Sequence, residues 1–289
     1  MSDNFEDQGR PQSLFGYLET ADPEIAERLV SRRSAILRGA GTSAAVAAGI
    51  GLASAPVALA VLARDAFGQS TRLPSVVIQV LNFALTLEYL ESTFYTTGTG
   101  TSGLIPSTDQ TIFNTITSHE AQHVTALMTA LGSSARPKPR FDFTGGSGSG
   151  NGPYADVFRN YATFTAVAQA FEDTGVRAYK GQAVALMPYK SVLNVALSIH
   201  SVEARHASEV RRLRGGFQNM GPNGKGWITG ASTDVPGAGA TYAGEDNTVQ
   251  GGVDVSTLVT APSTAFSEAF DEPLTMAQVL SIAGIFIAA

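Results

Sequence analysis

The sequence predicts an all-α protein: a four-helix bundle of two antiparallel helix pairs joined by a long crossover, with a C-terminal extension that ends in a short helix. Three observations predict this class. Four long segments carry apolar residues at three- and four-residue steps, the spacing of one helix face. Two short loops and one long Gly/Ser/Pro-rich segment separate them. Hydrophobic residues make up 44% of the 289 residues, which is enough for a substantial core.

The composition also limits the chemistry and the partners. The chain has no cysteine, which excludes disulfides, thiolate metal ligands and cysteine nucleophiles. A formal net charge of -6 argues against nucleic acid or an anionic membrane surface as a partner. Any metal site must therefore use oxygen and nitrogen ligands.

Residues 1–68 have the composition of a disordered N-terminus and an export signal rather than of a folded domain. The pair Arg32 and Arg33 precedes an uncharged Ala/Gly-rich run over residues 39–63, which resembles a twin-arginine signal peptide. Small residues at 58–60 offer a cleavage site. The sequence predicts export by the twin-arginine machinery to a periplasmic or extracellular location. Without cleavage, the uncharged run is long enough to anchor the protein in a membrane.

The bundle is predicted over residues 72–216. Its first helix is expected over residues 74–95, because Gly98 and Gly100 follow and are expected to end it. The second helix is expected to begin at Ser107, because Gln110 three residues later completes a capping-box pattern. Gly132 is expected to end that helix.

A Gly/Ser/Pro-rich segment over residues 133–153 follows the first helix pair. No strand precedes it and no Lys-Ser/Thr pair follows it, which favours a long connection over a phosphate-binding loop. The third helix is predicted over residues 154–186 and the fourth over about residues 192–213. Short loops make each pair an antiparallel hairpin, and a long crossover between hairpins is typical of one class of four-helix bundle.

The two helix pairs repeat the same polar residues on their apolar stripes. In each pair, the first helix carries Glu and, seven residues later, Tyr, whereas the second helix carries Glu-x-x-His. The residues are Glu88, Tyr95, Glu120 and His123 in the first pair, and Glu172, Tyr179, Glu203 and His206 in the second. The offset between the pairs is 84 residues for the first helices and 83 for the second. This internal repeat is the strongest signal in the chain.

Six of these side chains are the predicted metal ligands, since a Glu and a His three positions apart share one helix face. They are Glu88, Glu120, His123, Glu172, Glu203 and His206. Carboxylate and imidazole suit iron, manganese and zinc. Four carboxylates balance two divalent cations, whereas each unpaired carboxylate in an apolar core costs on the order of several kcal/mol. The sequence predicts two metal ions per chain, iron first and manganese next.

Five other side chains lie close to these ligands in the sequence. Glu91 is one turn beyond a predicted ligand, and it is expected to support the ligands, to act as an extra ligand, or to be a charge at the rim. His200 is expected to make a structural hydrogen bond, with support of the ligands or a proton path as the alternatives. His119 is expected to make a structural hydrogen bond. Tyr95 and Tyr179 are candidates for orienting ligands or carrying electrons, with plain core packing equally open.

Residues 217–289 are predicted to form an irregular Gly-rich extension around the bundle. Thr275 and Gln278 match a second capping box, which predicts a helix running to Ala289. That helix is too short to cross a membrane and is expected to dock on the bundle or on a partner subunit.

Four stretches resemble those of a known superfamily: residues 81–91, 119–123, 203–206 and 270–275. They are similar to the ferritin-like superfamily and, more narrowly, to exported bacterial ferritin-like proteins related to plant desiccation-related proteins. The likeness covers about residues 74–289. It implies a di-iron or dimanganese carboxylate centre in which Glu120 and Glu203 bridge the metals. His123 and His206 would each bind one metal.

Fold analogy alone does not choose among the reactions of that superfamily. The leading hypothesis is an exported oxidoreductase that oxidises Fe(II) or reduces O2 or peroxide in stress defence. A non-catalytic, metal-binding envelope protein that protects against desiccation is the second hypothesis, and a manganese catalase is the third. The signal and the long extension argue against an iron-storage cage, and a smaller homo-oligomer stays open.

Overall fold

A computed structural model describes residues 73–215 and 225–288 of the chain. Its four long helices are α1 (Ser75–Gly100), α2 (Gln110–Leu131), α3 (Tyr161–Leu186) and α4 (Lys190–Gly215). Helix α1 packs against α2 and α3 packs against α4, and the two pairs meet where α1 contacts α3. The predicted all-α bundle of two helix pairs is confirmed. Within these described ranges, no helix is both long and apolar enough to span a membrane.

The predicted export signal and its alternative, a membrane anchor, both fall within residues 1–72 and so lie outside the described residues. The outer limits of the predicted bundle, residues 72 and 216, lie outside them as well. The export and localisation predictions therefore remain predictions.

Helix α1 extends five residues beyond the predicted end at residue 95, because its glycines do not stop it. Gly98 packs against Phe164 so closely that a Cβ there would lie 2.3 Å from the Phe164 ring. The absence of a side chain is what lets α3 approach at this point. Thr97 and Thr101 lie in the last turns, and the Thr101 hydroxyl donates to the Thr97 carbonyl at 2.7 Å.

Two predicted helix starts are wrong. Helix α2 begins at Gln110 without a side-chain cap, since residues 106–109 form a turn and Asp109 accepts a hydrogen bond from the Tyr161 hydroxyl at 2.6 Å. Gln110 donates to Asn114 rather than capping residue 107. Helix α3 begins seven residues later than expected, at Tyr161, where the Asn160 side chain accepts from the backbone amide of residue 162.

Within the described residues, a small apolar cluster lies between α3 and the extension, and the apolar core of the bundle has two large clusters, one toward each end. One is aromatic, with Phe94 and Phe164 stacked at a ring-centroid distance of 4.8 Å. The other is mainly aliphatic and includes Leu85, Leu127 and Ile199. Along α2 and α4, the predicted Glu-x-x-His ligands lie between the residues that contribute to the two clusters. The apolar clusters therefore enclose a polar layer at mid-bundle.

The crossover is more ordered than a simple connection, because it pairs with the C-terminus of the chain. Strand β1 (Arg140–Phe141) is antiparallel to β4 (Ile287–Ala288). In the following Gly-rich loop, the Asp142 carboxylate accepts from the Thr144 hydroxyl at 2.6 Å and from two backbone amides of the loop at 2.9 Å each. These hydrogen bonds lower the pKa of Asp142 and stabilise the loop.

The extension contains three further short helices, α5 (Gly239–Tyr242), α6 (Ser263–Ser267) and α7 (Met276–Gly284), and a hairpin of β2 (Val249–Gln250) with β3 (Val253–Asp254). The capping box of Thr275 and Gln278 is present at the start of α7. Helix α7 ends at Gly284 rather than continuing to the last residue, since the chain next pairs with β1. Val279 and Ala283 are buried, so α7 docks on the bundle.

Buried Arg177 of α3 attaches the extension to the bundle. Its Nε lies 2.7 Å from Oε1 of buried Glu245 and donates to the Glu272 carbonyl at 2.7 Å. Its other nitrogens donate to the carbonyls of Thr241 and Ala243. One guanidinium thus contacts two separate segments of the extension, residues 241–245 and Glu272.

We expect Arg177→Met to lower the free energy of unfolding by about 3–5 kcal/mol, because it leaves the Glu245 carboxylate buried without its cation. Urea denaturation followed by circular dichroism measures the change. Arg136→Met, at an exposed arginine, is the matched control and should change stability by less than about 0.5 kcal/mol. Equal stability of the two variants would show that the Arg177 contacts do not anchor the extension.

Candidate metal centre

The structure brings all six predicted ligands together at mid-bundle. They are Glu88, Glu120, His123, Glu172, Glu203 and His206, and all are buried. One group comprises Glu88, Glu120, His123 and Glu203, and the other comprises Glu120, Glu172, Glu203 and His206. Within each group, the potential ligand atoms lie within 4.8 Å of one another, and both groups include Glu120 and Glu203.

Each histidine directs Nδ1 at three carboxylates. His123 Nδ1 lies 2.9 Å from Glu203, 3.2 Å from Glu88 and 3.4 Å from Glu120. His206 Nδ1 lies 2.9 Å from Glu120, 3.4 Å from Glu172 and 3.7 Å from Glu203. The contacts therefore form two matching sets, one around each imidazole. Glu120 and Glu203 contribute to both sets.

The donor atoms converge on common points rather than pairing with one another. Both carboxylate oxygens of Glu120 and of Glu203, Oε2 of Glu172 and Nδ1 of His206 have no hydrogen-bond partner within the described residues. Their separations from neighbouring donor atoms are short enough for hydrogen bonds, but the atoms are not aligned for them; within the six residues, only His123 Nδ1 and Glu88 Oε2 form a hydrogen bond, at 3.2 Å. Buried polar atoms left unpaired in this way are costly. The donor set and its orientation fit the binding of cations.

Tyr95 and Tyr179 each orient a carboxylate of the opposite helix pair. The Tyr95 hydroxyl donates to Oε1 of Glu172, and the Tyr179 hydroxyl donates to Oε1 of Glu88. In both carboxylates, Oε2 is the oxygen that lies near a histidine. Each tyrosine thereby leaves the inner oxygen of its partner free to bind a cation. Of the roles considered from the sequence, orientation of ligands is the one the hydrogen bonds support.

Residues 77–216 match the family model of the ferritin-like domain. This part of the chain is a ferritin-like domain. No curated protein and no solved structure matches the chain. The matched range contains all four long helices except the first two residues of α1, and it contains all six convergent side chains. The predicted superfamily is confirmed, and the buried Glu/His cluster of the ferritin-like domain could hold metal ions.

Glu91 is a further buried carboxylate at the edge of the ferritin-like centre. A Cβ placed on Gly175 would lie 3.3 Å from Glu91 Oε1 and 3.7 Å from Glu203 Oε2. Gly175 follows Glu91 by 84 residues, the offset that relates α1 to α3 in the internal repeat. Glycine at the repeated position therefore leaves room for the Glu91 carboxylate. The repeat is broken here, so the two halves of the centre are not equivalent.

His119 makes the structural hydrogen bond expected of it, but its partner, His206 of the centre, was not predicted from the sequence. Its Nδ1 lies 2.9 Å from Nε2 of His206, the nitrogen opposite the one that faces the carboxylates. With a cation on His206 Nδ1, the Nε2–H would donate to His119 and hold the imidazole in place. His119 lies one helical turn before His123 on α2, and this spacing was the sequence signal that places His119 beside the centre. Val202 occupies the corresponding position of the second pair.

His200 is not part of either convergent group among the described residues. It is partly buried, and it lies near the backbone of Val176 on α3. Burial lowers the pKa of His200 and favours its neutral form. This contact joins α3 to α4, and the supporting role predicted for His200 remains a prediction.

Without a cation, burial forces protons onto part of the centre. Burial raises the pKa of Glu88 from its ordinary 4.5 to about 8. It also raises the pKa values of Glu172 and Glu91 well above their ordinary value. Burial therefore favours the protonated form of these three carboxyl groups in the cation-free protein.

The remaining four groups form charge pairs. Burial opposes ionisation of Glu120 and Glu203, but the adjacent imidazoles lower the pKa values of both carboxyls. Burial also opposes charge on His123 and His206, yet the carboxylates around them raise the pKa values of both rings. Cations that replace these protons would satisfy the same carboxylates, so metal binding must release protons.

We expect the free energy of unfolding of the cation-free protein to fall as pH rises from 5 to 8. In this range the folded Glu88 keeps a proton that the unfolded chain has lost, so stability decreases with pH. Above pH 6.5, the raised pKa values of His123 and His206 act in the same direction. Urea denaturation in the presence of chelator measures the slope, and Glu88→Gln should flatten it. A slope of opposite sign in wild type would contradict the proton distribution.

We expect Tyr95→Phe and Tyr179→Phe each to weaken metal binding by about 10–100-fold, the typical cost of losing a group that orients a ligand. The aromatic ring remains, so the fold should be retained. Titration with Mn2+ or Fe2+ under anaerobic conditions measures the affinity. Tyr161→Phe also loses a hydroxyl–carboxylate hydrogen bond, but one outside the centre, and provides the control. Unchanged affinity in both test variants would leave only a packing role for the tyrosines.

Proposed function

We propose that the ferritin-like domain binds two metal ions, iron or manganese, and reacts with O2 or peroxide, with oxidation of Fe(II) as its first candidate reaction. The observation that carries this proposal is the pair of four-residue groups with two carboxylates in common. Two cations at these groups would each have one imidazole and would share Glu120 and Glu203. Glu88 and Glu172 would each serve one cation.

Charge supports two cations rather than one. Four carboxylates from the six convergent residues supply four negative charges, and neutral imidazoles add none. Two divalent cations balance this set and replace the protons that otherwise occupy it. A mixed carboxylate and imidazole set suits iron and manganese. Iron or manganese bound there would supply one-electron redox chemistry.

The chain's own residues prepare the centre for such chemistry. Tyr95 and Tyr179 hold the outer carboxylates in a fixed orientation. The aromatic and aliphatic clusters on either side exclude water from the polar layer. His119, which is partly exposed, extends the hydrogen-bonded contact of His206 toward solvent and is suited to accept or return a proton.

Export and a role in stress defence belong to the same proposal. Arg32, Arg33 and the uncharged run after them support export, and the twin-arginine route carries folded proteins. That route would suit a protein that acquires its metal before it leaves the cytoplasm.

Metal analysis of natively expressed protein tests the dimetal centre. We expect about two iron or manganese ions per chain, because the centre has two groups of ligands. Glu120→Ala combined with Glu203→Ala should abolish binding, since both residues belong to both groups. Glu209→Ala, on α4 but paired with Arg212 at the surface, is the control and should keep both ions. Wild-type protein without stoichiometric metal would end the proposal.

Reaction with oxidant separates the candidate functions. Anaerobic protein is loaded with Fe(II), exposed to O2, and followed by ferric absorption and oxygen consumption. Oxidation well above the rate of free Fe(II) supports the ferroxidase function. Bound metal without such oxidation would favour a structural, protective protein instead. Rapid O2 release from peroxide by the manganese-loaded protein would identify a catalase.

A further inference from the structure

A cavity of about 130 Å3 lies between helix α3 and the C-terminal extension. Its mouth is formed by Gly237, Ala240 and Ser281, which are exposed. Its walls are mostly apolar and include buried Ala170 and Phe286. The volume is close to that of apolar cavities that bind small apolar molecules or xenon.

A second, smaller cavity of about 10 Å3 continues from the first toward the ferritin-like centre. Phe171 of α3 and Ile282 of α7 line both cavities, so these two side chains lie between them. Glu91 and Gly175 line the inner cavity, and Leu90 adds an apolar wall. The inner space is on the order of one water molecule in size.

The inner cavity ends at the centre itself. A Cβ on Gly175 would lie 3.3 Å from Glu91 Oε1 and 3.7 Å from Glu203 Oε2. Because Gly175 has no side chain, the cavity that it lines lies next to the shared carboxylate of Glu203. The two cavities thus lie in sequence between the exposed face of the extension and Glu203, with Phe171 and Ile282 between them.

We propose that these two cavities are the route by which a small uncharged oxidant reaches the metal centre, with α7 as the outer wall. This inference rests on the proposed reaction with O2 or peroxide. The apolar walls favour O2, which needs no hydrogen bonds, and they disfavour hydrated metal ions, which would have to lose water to enter. The ionisable side chain at the inner end is the buried Glu91 carboxyl, which is not cationic and so does not attract an anionic oxidant.

Xenon pressurisation of crystals tests the route without any turnover. Xenon should occupy the outer cavity of wild type, whether or not metal is present, and Ala170→Leu should exclude it by filling the space. Ala196→Leu is the matched control, because Ala170 and Ala196 are both 8% exposed and Ala196 lines a different apolar cavity. Xenon should remain in the outer cavity of the control. Absence of xenon from wild type would overturn the proposed route.

Stopped-flow kinetics then tests the use of the route. Ala170→Leu should slow the second-order reaction of the Fe(II)-loaded protein with O2 at least about tenfold, because entry becomes limiting. Metal content should be unchanged, and Ala196→Leu should stay within about twofold of wild type. If crystals of Ala170→Leu exclude xenon but the variant reacts with O2 in solution as fast as wild type, the proposal is overturned.

A mouth variant keeps the test decisive if Ala170→Leu does not fold. Ser281 is exposed, so Ser281→Trp blocks the entrance without altering the core, and Leu280→Trp on the same helix is its control. Slower oxidation in Ser281→Trp alone supports the route, and equal rates overturn it. If wild type does not react with any oxidant, the proposed function fails, whereas xenon occupancy still decides whether the cavity admits small apolar molecules.

Discussion

The burial of four carboxylates in an apolar bundle is the constraint on which the structure depends. Glu88, Glu120, Glu172 and Glu203 are fully enclosed, so their charge must be cancelled locally by protons, imidazolium or cations. The two histidines contribute part of this cancellation, and two tyrosine hydroxyls hydrogen-bond the carboxylates of Glu172 and Glu88. The unpaired oxygens are left for cations that the cluster could hold.

The same constraint explains why so much of the protein lies outside the four helices. A polar layer at mid-bundle interrupts the core, and the extension packs on α3, the helix that carries Glu172. Arg177, five residues after Glu172 on a different face of that helix, binds the extension by its guanidinium. A second buried pair, Arg211 with Asp173, joins α4 to α3 through two hydrogen bonds of 2.7 and 2.5 Å. The helix that supplies a ligand is thereby held from both sides.

The sequence predicted the fold and the convergent side chains because both depend on helix periodicity. Glu and His three positions apart must share a face, and the repeat placed equivalent residues on both helix pairs. Contacts between helices were not predictable in this way. The start of α2 depends on Asp109 accepting from Tyr161, 52 residues away. The contact of His119 with His206 depends on how the two pairs pack, which no single-helix pattern records.

The crossed hydrogen bonds of the tyrosines bear on the origin of the chain. Tyr95 of the first hairpin binds Glu172 of the second, and Tyr179 of the second binds Glu88 of the first. Such reciprocity is the signature of an isologous two-fold interface between identical subunits. One hairpin plus an identical copy would reproduce these contacts, which points to gene duplication and fusion of a homodimeric ancestor. Fusion then freed each half to diverge. The two halves differ, for example, at the position occupied by Glu91 in the first hairpin and by Gly175 in the second.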